Sequence, residues 1–181
     1  MLYLIIVIFS IIVGLLRGGE LERLSHLTIE SVHIFAFALL LRGLLWVAEI
    51  MNIAIIFQYS SIILIFSYLL LLFATFKNLN LYGFKYITLG ILLNAFVIIV
   101  NGGKMPVLLN SSIVGTLDTF AETENMIYLV NNNKALFAFL GDVLPLPNPL
   151  PQTSILSVGD IIIFIGLFVL IQNVMTEEES I

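Results

Sequence analysis

The chain contains no cysteine, which excludes disulfides, thiolate metal sites and a cysteine nucleophile together. Charge is scarce as well: only 10% of the residues are Asp, Glu, Lys or Arg. The seven basic residues form no patch, so nucleic acid is not an expected partner. The net charge of -5 says little about other partners, because three of the twelve carboxylates stand side by side in the terminal EEES. There is no Walker loop, dinucleotide fingerprint, GxSxG elbow or paired-histidine haem pattern, and no cofactor is expected. A fixed-period repeat of the solenoid or inverted-repeat kind is also missing.

What is present in abundance is apolar surface. In 181 residues, 60% are hydrophobic, and the mean hydropathy is +1.13. A water-soluble globule of this size could not hide that much, so the expected solvent is lipid. Five segments approach the roughly 20 helical residues needed to cross a hydrocarbon core: residues 2–16, 29–50, 53–76, 86–100 and 155–174. The first has no basic n-region and no small-x-small cleavage site, so it reads as a membrane helix rather than a signal peptide. The expected fold is therefore an all-α integral membrane protein, one membrane domain over residues 1–181, with the lipid bilayer as its first partner.

Orientation follows from the basic residues, which are retained on the cytoplasmic side of short loops. Arg17 and Arg23 follow the first span, and Lys77 and Lys85 bound the loop between the third and fourth. The N-terminus is then extracytoplasmic and the C-terminus cytoplasmic. The connection 101–154, carrying only Lys104 and Lys134, becomes an extracytoplasmic cap of loop and short helices. Within it, residues 111–130 have the pattern of one or two short amphipathic helices. Pro145, Pro147, Pro149 and Pro151, at alternate positions, predict an extended strap returning to the membrane.

The stretch NGGKMPVLLN, residues 101–110, closes the fourth span. Asn101, Gly102 and Gly103 suit a helix C-terminus, since Gly and Asn accept the left-handed conformation, and Pro106 prevents continuation. Termination does not require Asn94, which lies seven residues earlier on the same face. A rise of ~1.5 Å per residue puts Asn94 roughly 10 Å below the outer surface, Arg42 about 12 Å and Asp160 roughly 8 Å. Polar side chains on three spans thus share one layer. Arg42 and Asp160 are expected to face one another or a wet cavity, because a lone charge in hydrocarbon is costly. One reading is a buried ion pair that fixes helix packing. The other is an outward-facing pocket for a small ligand or membrane partner, using Arg42, Asn94, Asn101, Gly102, Gly103, Lys104, Asp142 and Asp160. On the pocket reading, Asn94→Leu removes function and leaves the fold intact.

Two further arrangements carry chemistry. Asp142 in FLGD and Asp160 in SVGD are two carboxylates near one membrane surface, the minimum for an aspartyl hydrolase or peptidase, although a Gly-Asp pair is also an ordinary capping element. His26, Glu30 and His33 have spacings of four and three, which on one helix would present three ligands to a divalent metal. Trp46, Tyr82, Tyr86 and Tyr128 read as interfacial aromatics.

The combination GILLNAFVIIVNGGKMPV, FLGDVLPLPNP and SVGDIIIFIG, with the opening GLLRGGELERL, resembles a family of small bacterial polytopic membrane proteins of unknown function. The shared elements are N-x6-NGG-x-MPV, LGD-x-x-P-x-P and S-x-GD. That resemblance covers most of the chain and implies a fold but no activity; the expected location is the bacterial cell membrane, as the apolar spans require. Locally, SVGDIIIFIG is also similar to the aspartate-bearing last span of lipoprotein signal peptidases, whose other signature elements this chain lacks.

Overall fold

A computed structural model describes residues 2–107, 127–130, 134–145 and 155–176. The apolar runs form helices α1 (Leu2–Leu16), α3 (Val32–Ile50), α4 (Ala54–Phe76), α5 (Phe84–Val100) and α6 (Val158–Thr176), and a single turn, α2 (Glu22–Ser25), follows α1. Helices α3, α4 and α6 are long and apolar enough to cross a membrane, while α1 and α5 are shorter apolar helices. The surface is inverted relative to a soluble protein. Leu40, Ile55 and Ile62 are 70%, 67% and 66% exposed, whereas Ser10, Ser67 and Thr75 are wholly buried. Such hydroxyls have no water to bond, so each donates to a carbonyl one turn back in its own helix. Ser10 Oγ reaches the Ile6 carbonyl at 2.6 Å, Ser67 reaches Leu64 at 2.7 Å and Thr88 reaches Phe84 at 2.8 Å. Among the described residues, no buried side-chain polar atom lacks a partner.

The helices pack in the order α3, α4, α5, α6, α1. The closest approach joins α5 to α6, and glycine makes it possible. Gly83 and Gly90 on one side face Gly166 and Gly159 on the other, each pair seven residues apart. A Cβ on Gly166 would stand 2.8 Å from the Gly83 carbonyl oxygen, and one on Gly159 would run into the Asn94 side chain. Small residues that let backbones meet are the usual means of helix association where lipid removes the hydrophobic drive between helices.

Two asparagines tie the helix ends to the segments that cross them. Asn78, just beyond α4, donates from Nδ2 to the carbonyls of Ala74 (2.8 Å) and Glu30 (3.0 Å) and accepts from the Glu30 N–H at 2.8 Å. Asn101, just beyond α5, repeats the pattern: Nδ2 donates to Val97 and Leu136, both 2.8 Å, and Oδ1 accepts from the Leu136 N–H at 2.9 Å. In each case the carboxamide replaces a peptide group. The stop itself is a Schellman motif. Gly103 N–H bonds the Ile98 carbonyl at 2.8 Å and Gly102 N–H bonds Ile99 at 3.2 Å, with φ of 87° and 69°.

The cap departs from the all-α expectation. Its described residues form a four-stranded sheet in the order β2-β1-β3-β4, from β1 (Met105–Val107), β2 (Tyr128–Val130), β3 (Asp142–Pro145) and β4 (Ile155–Ser157). β1 runs parallel to β2 and β3, and β3 is antiparallel to β4. The sequence offered no period-2 pattern long enough to announce strands of three or four residues. Pro106 lies in a central strand yet leaves the ladder intact at its neighbour, where Met105 N–H bonds the Ile127 carbonyl at 2.8 Å. Of the expected amphipathic helices, only the end is described, and Tyr128–Val130 is a strand. Pro145 closes β3, and the other strap prolines lie outside the described residues.

The glycine contact generates a paired expectation. Gly159→Ala forces a methyl group into Asn94 and the Gly90 carbonyl and should lower stability by about 1–3 kcal/mol. Gly43→Ala, on an exposed face of α3 with nothing within 4 Å, should raise it by about 0.5–1 kcal/mol. Thermal unfolding in detergent checks both. Equal effects would contradict the glycine interface.

Candidate ligand-binding cavity

Strand β4 passes straight into α6, and the junction is a capping box. Ser157 is the N-cap: its Oγ accepts from the Asp160 N–H at 2.9 Å, while an Asp160 carboxylate oxygen accepts from the Ser157 N–H at 3.2 Å. This reciprocal pair satisfies two backbone donors that a helix start leaves open. SVGD is therefore a helix start, and Asp160 sits in the first turn of α6. The depth assigned to it from the sequence assumed a helix from Ile155, where a strand stands instead.

The cap is fastened to two other helices. Asp160 Oδ1 accepts from the Tyr3 hydroxyl of α1 at 3.0 Å and from Asn94 Nδ2 of α5 at 3.1 Å. Asn94 Oδ1 in turn accepts from Ser157 Oγ at 2.9 Å. Asn94 is 2% exposed and Ser157 wholly buried. The α5 helix carries Asn94 six residues before its end, so the start of α6 lies about 9 Å below the end of α5, and the sheet spans the difference.

Above and between these groups is a cavity of about 300 Å³. Its walls take Tyr3 from α1, Arg42 from α3, Tyr68 from α4, Asn94 from α5 and Asp160 from α6. The sheet contributes Met105, Tyr128 and Asp142. Asp142 reaches this place through strand register, since it pairs with Val107 on one side and Ser157 on the other. LGD and SVGD, eighteen residues apart in the chain, are thereby neighbours across one strand pair. Leu64, Ile98 and Phe164 supply apolar wall.

Four of the eight expected site residues, Arg42, Asn94, Asp142 and Asp160, meet on this cavity, and Asn101, Gly102, Gly103 and Lys104 do not line it. The NGG segment is occupied with ending α5, holding Leu136 and letting Gly103 lie against Ser61 of α4. Arg42 and Asp160 share the cavity without forming an ion pair. The salt bridge found between described residues joins Arg23 to Glu20 at 3.2 Å. Arg42 instead lies over the Tyr68 ring, 4.8 Å from its centroid, a contact worth about 0.5–2 kcal/mol. Asp160 has its oxygens engaged by Tyr3, Asn94 and Ser157. Among the described residues no hydrogen bond joins it to Asp142, and nothing in the geometry supports the proton-sharing dyad of an aspartyl hydrolase.

The proposed metal ligands are also dispersed. His26 caps the end of α2, Glu30 is held through its backbone by Asn78, and a left-handed Ser31 (φ 59°) breaks the chain before His33 in α3. Among the described residues no group of three His, Cys, Asp or Glu side chains could hold an ion. Trp46, Tyr82 and Tyr86 are exposed, whereas Tyr128, read from the sequence as an interfacial aromatic, lines the cavity. Tyr3 and Tyr68 belong to none of the sequence motifs. The available signal was a phenol inside an otherwise unbroken apolar run, as in LYLIIV and SYLLLL.

Electrostatics mark Asp142 as the titrating group of the roof. Burial first, and the nearby Asp160 carboxylate second, push it up from the usual 3.8 to about 7, against the pull of Arg42. Burial also raises the Tyr128 phenol, with Asp142 adding to the effect.

Helices of membrane type under a small sheet, with a polar cavity at their junction, define a helical protein of the membrane-associated class. The chain belongs to DUF5317, a family of unknown function, whose model matches residues 26–172. An uncharacterized protein of Thermotoga maritima is 28% identical over 167 residues, covering 92% of this chain and 86% of the relative. No solved structure matches.

Two outcomes are expected. Asn94→Leu should destabilise the protein by about 1–3 kcal/mol, because it leaves Ser157 and Asp160 without their buried partner, a loss that thermal unfolding reads directly. The other concerns pH. Because the folded protein keeps the Asp142 proton after a free aspartate has lost it, stability is fully present below about 3.8 and declines as pH rises towards about 7. Unfolding temperature followed from pH 4 to pH 8 should show that decline, and Asp142→Asn should flatten it. An unchanged slope in the variant would remove Asp142 as its cause.

Proposed function

We propose that this protein is a five-span protein of the bacterial cell membrane that holds a small polar or amphipathic ligand beneath its sheet, in a transport-accessory or sensory role. The observation that carries the reading is Arg42. A cation in an apolar helix is costly unless it is paired or hydrated, and this one faces a cavity of about 300 Å³, resting on an aromatic ring rather than on a carboxylate. A ligand site needs that combination of apolar wall and a few convergent polar groups.

The helix directions support the span count. α1 and α6 are parallel, since Tyr3 meets Asp160 at one end and Arg17 Nη1 donates to Gln172 Oε1 at 2.9 Å at the other. α5 is antiparallel to α6, as Asn94 with Asp160 and Gly83 with Gly166 require. Five alternating spans put α1 and α6 in the same direction. Arg17, Arg23, Lys77 and Lys85 then lie at the end away from the sheet, which supports an extracytoplasmic sheet.

The absence of native cysteine makes topology simple to test. Cysteines at exposed Lys134 and Asn80 are the appropriate pair, since Asn78, although polar, is buried. In intact cells a membrane-impermeant maleimide should label the first and not the second, and the reverse pattern overturns the orientation. For the ligand, a small-molecule extract of the host cell should raise the unfolding temperature of the purified protein. A ligand at 100 times its Kd adds about 2.7 kcal/mol. Arg42→Gln should be indifferent to the same extract, and equal responses would refute the site.

A further inference from the structure

We propose that the ligand is a zwitterion of the aminoalkyl phosphate class, its phosphate bound by Arg42 and its ammonium by Asp142. This rests on the ligand-binding reading above and names the chemistry of that site. Three charged groups face the cavity: Arg42 from α3, Asp142 from β3 and Asp160 from α6. Asp160 is satisfied by three donors from the protein itself. Among the described residues, Asp142 forms no side-chain hydrogen bond and Arg42 no salt bridge. The two charges left for a ligand are thus of opposite sign and on different walls. A simple anion would satisfy Arg42 and confront Asp142, and a simple amine would do the reverse. A molecule carrying both charges satisfies both.

The choice of phosphate follows from the guanidinium. Tyr68 takes one face of the Arg42 guanidinium and is also its hydrogen-bond partner, and the remaining N–H donors of the planar fork match a phosphate oxygen pair. The choice of an amine follows from the roof, where Tyr128, Tyr68, Asp160 and Arg42 are the groups facing Asp142. Burial holds that carboxyl up to about 7, so at neutral pH an arriving ammonium draws it into the ionised form.

The vertical order matters too. Arg42 lies eight residues inside α3, about 12 Å from its end, and Asp142 is in the sheet. A phosphate towards the hydrocarbon with an amine beyond it is the arrangement of an aminoethyl phospholipid headgroup. The row of helices ends in α1 and α3, and both line the cavity. The side between them is therefore where acyl chains would leave the headgroup. A free aminoalkyl phosphate carries the same recognition chemistry without chains.

The test uses the purified full-length protein and three probes measured by calorimetry: dihexanoyl phosphatidylethanolamine, dihexanoyl phosphatidylglycerol and O-phosphoethanolamine. The ethanolamine lipid should bind at least roughly tenfold more tightly than the glycerol lipid, as a charge-assisted hydrogen bond warrants. Asp142→Asn should abolish that preference, and Arg42→Gln should weaken both lipids roughly tenfold or more. Unfolding temperatures without ligand establish that both variants fold, and Arg42→Lys, which keeps the charge, should restore part of the loss. O-phosphoethanolamine binding as tightly as its lipid identifies a soluble ligand, and binding tenfold weaker identifies the lipid. Equal binding of both lipids, still dependent on Arg42, overturns the zwitterion and leaves the cavity reading standing. If no probe binds in an Arg42-dependent way, the proposal fails, and the extract experiment alone then decides the cavity.

Discussion

Asp160 accepts hydrogen bonds from three parts of the protein, and the cavity owes its shape to them. The Ser157 N–H fixes the start of α6, Asn94 ties that start to α5, and the Tyr3 hydroxyl brings in α1. A carboxyl group in an apolar layer is tolerable only when its oxygens are so engaged, because a buried polar group left without partners costs about 1–3 kcal/mol. The same geometry requires glycine at position 159, because any larger residue would displace Asn94. A polar contact and a backbone contact therefore depend on one another.

From that junction the roof follows. Since α6 begins well below the end of α5, the chain covers the difference in extended form as β4, and β4 recruits β3 beside it. β3 carries Asp142 into register with Ser157, and β1 continues the sheet directly from the Schellman stop of α5. The stop at NGG thus acts on the cavity from a distance. It turns the chain so that Met105, rather than Lys104, faces inwards.

Much of the helical frame was legible in the sequence, because continuous apolar runs and a Gly-Gly stop are strong local signals. α1 matches its expected limits, the others differ by one to three residues at their starts, and α6 also runs two residues further at its end. The convergence of Arg42, Asn94 and Asp160 was also legible, from polar residues isolated in apolar surroundings. Their partners were not. Side-chain rotation about a helix axis is set by packing, so Arg42 could be placed at a depth but not directed to Tyr68 rather than Asp160. The short strands escaped notice because three residues carry no periodicity. The paired clamps of Asn78 and Asn101 escaped because an asparagine after a helix reads as a cap, and the segment it holds lies 48 or 35 residues away.

If a wet cavity lies within the apolar bundle, two neighbouring positions on α4 test it most directly. Leu64 lines the cavity and is 3% exposed, while Ile62, two residues away at nearly the same depth, is 66% exposed on the outer, apolar surface. Thiolates react with hydrophilic methanethiosulfonates only where water reaches them. With the protein in lipid bilayers, a cysteine at position 64 should be modified and one at position 62 should resist. Modification at 62 with protection at 64 would contradict the cavity and return Arg42 to a purely structural role.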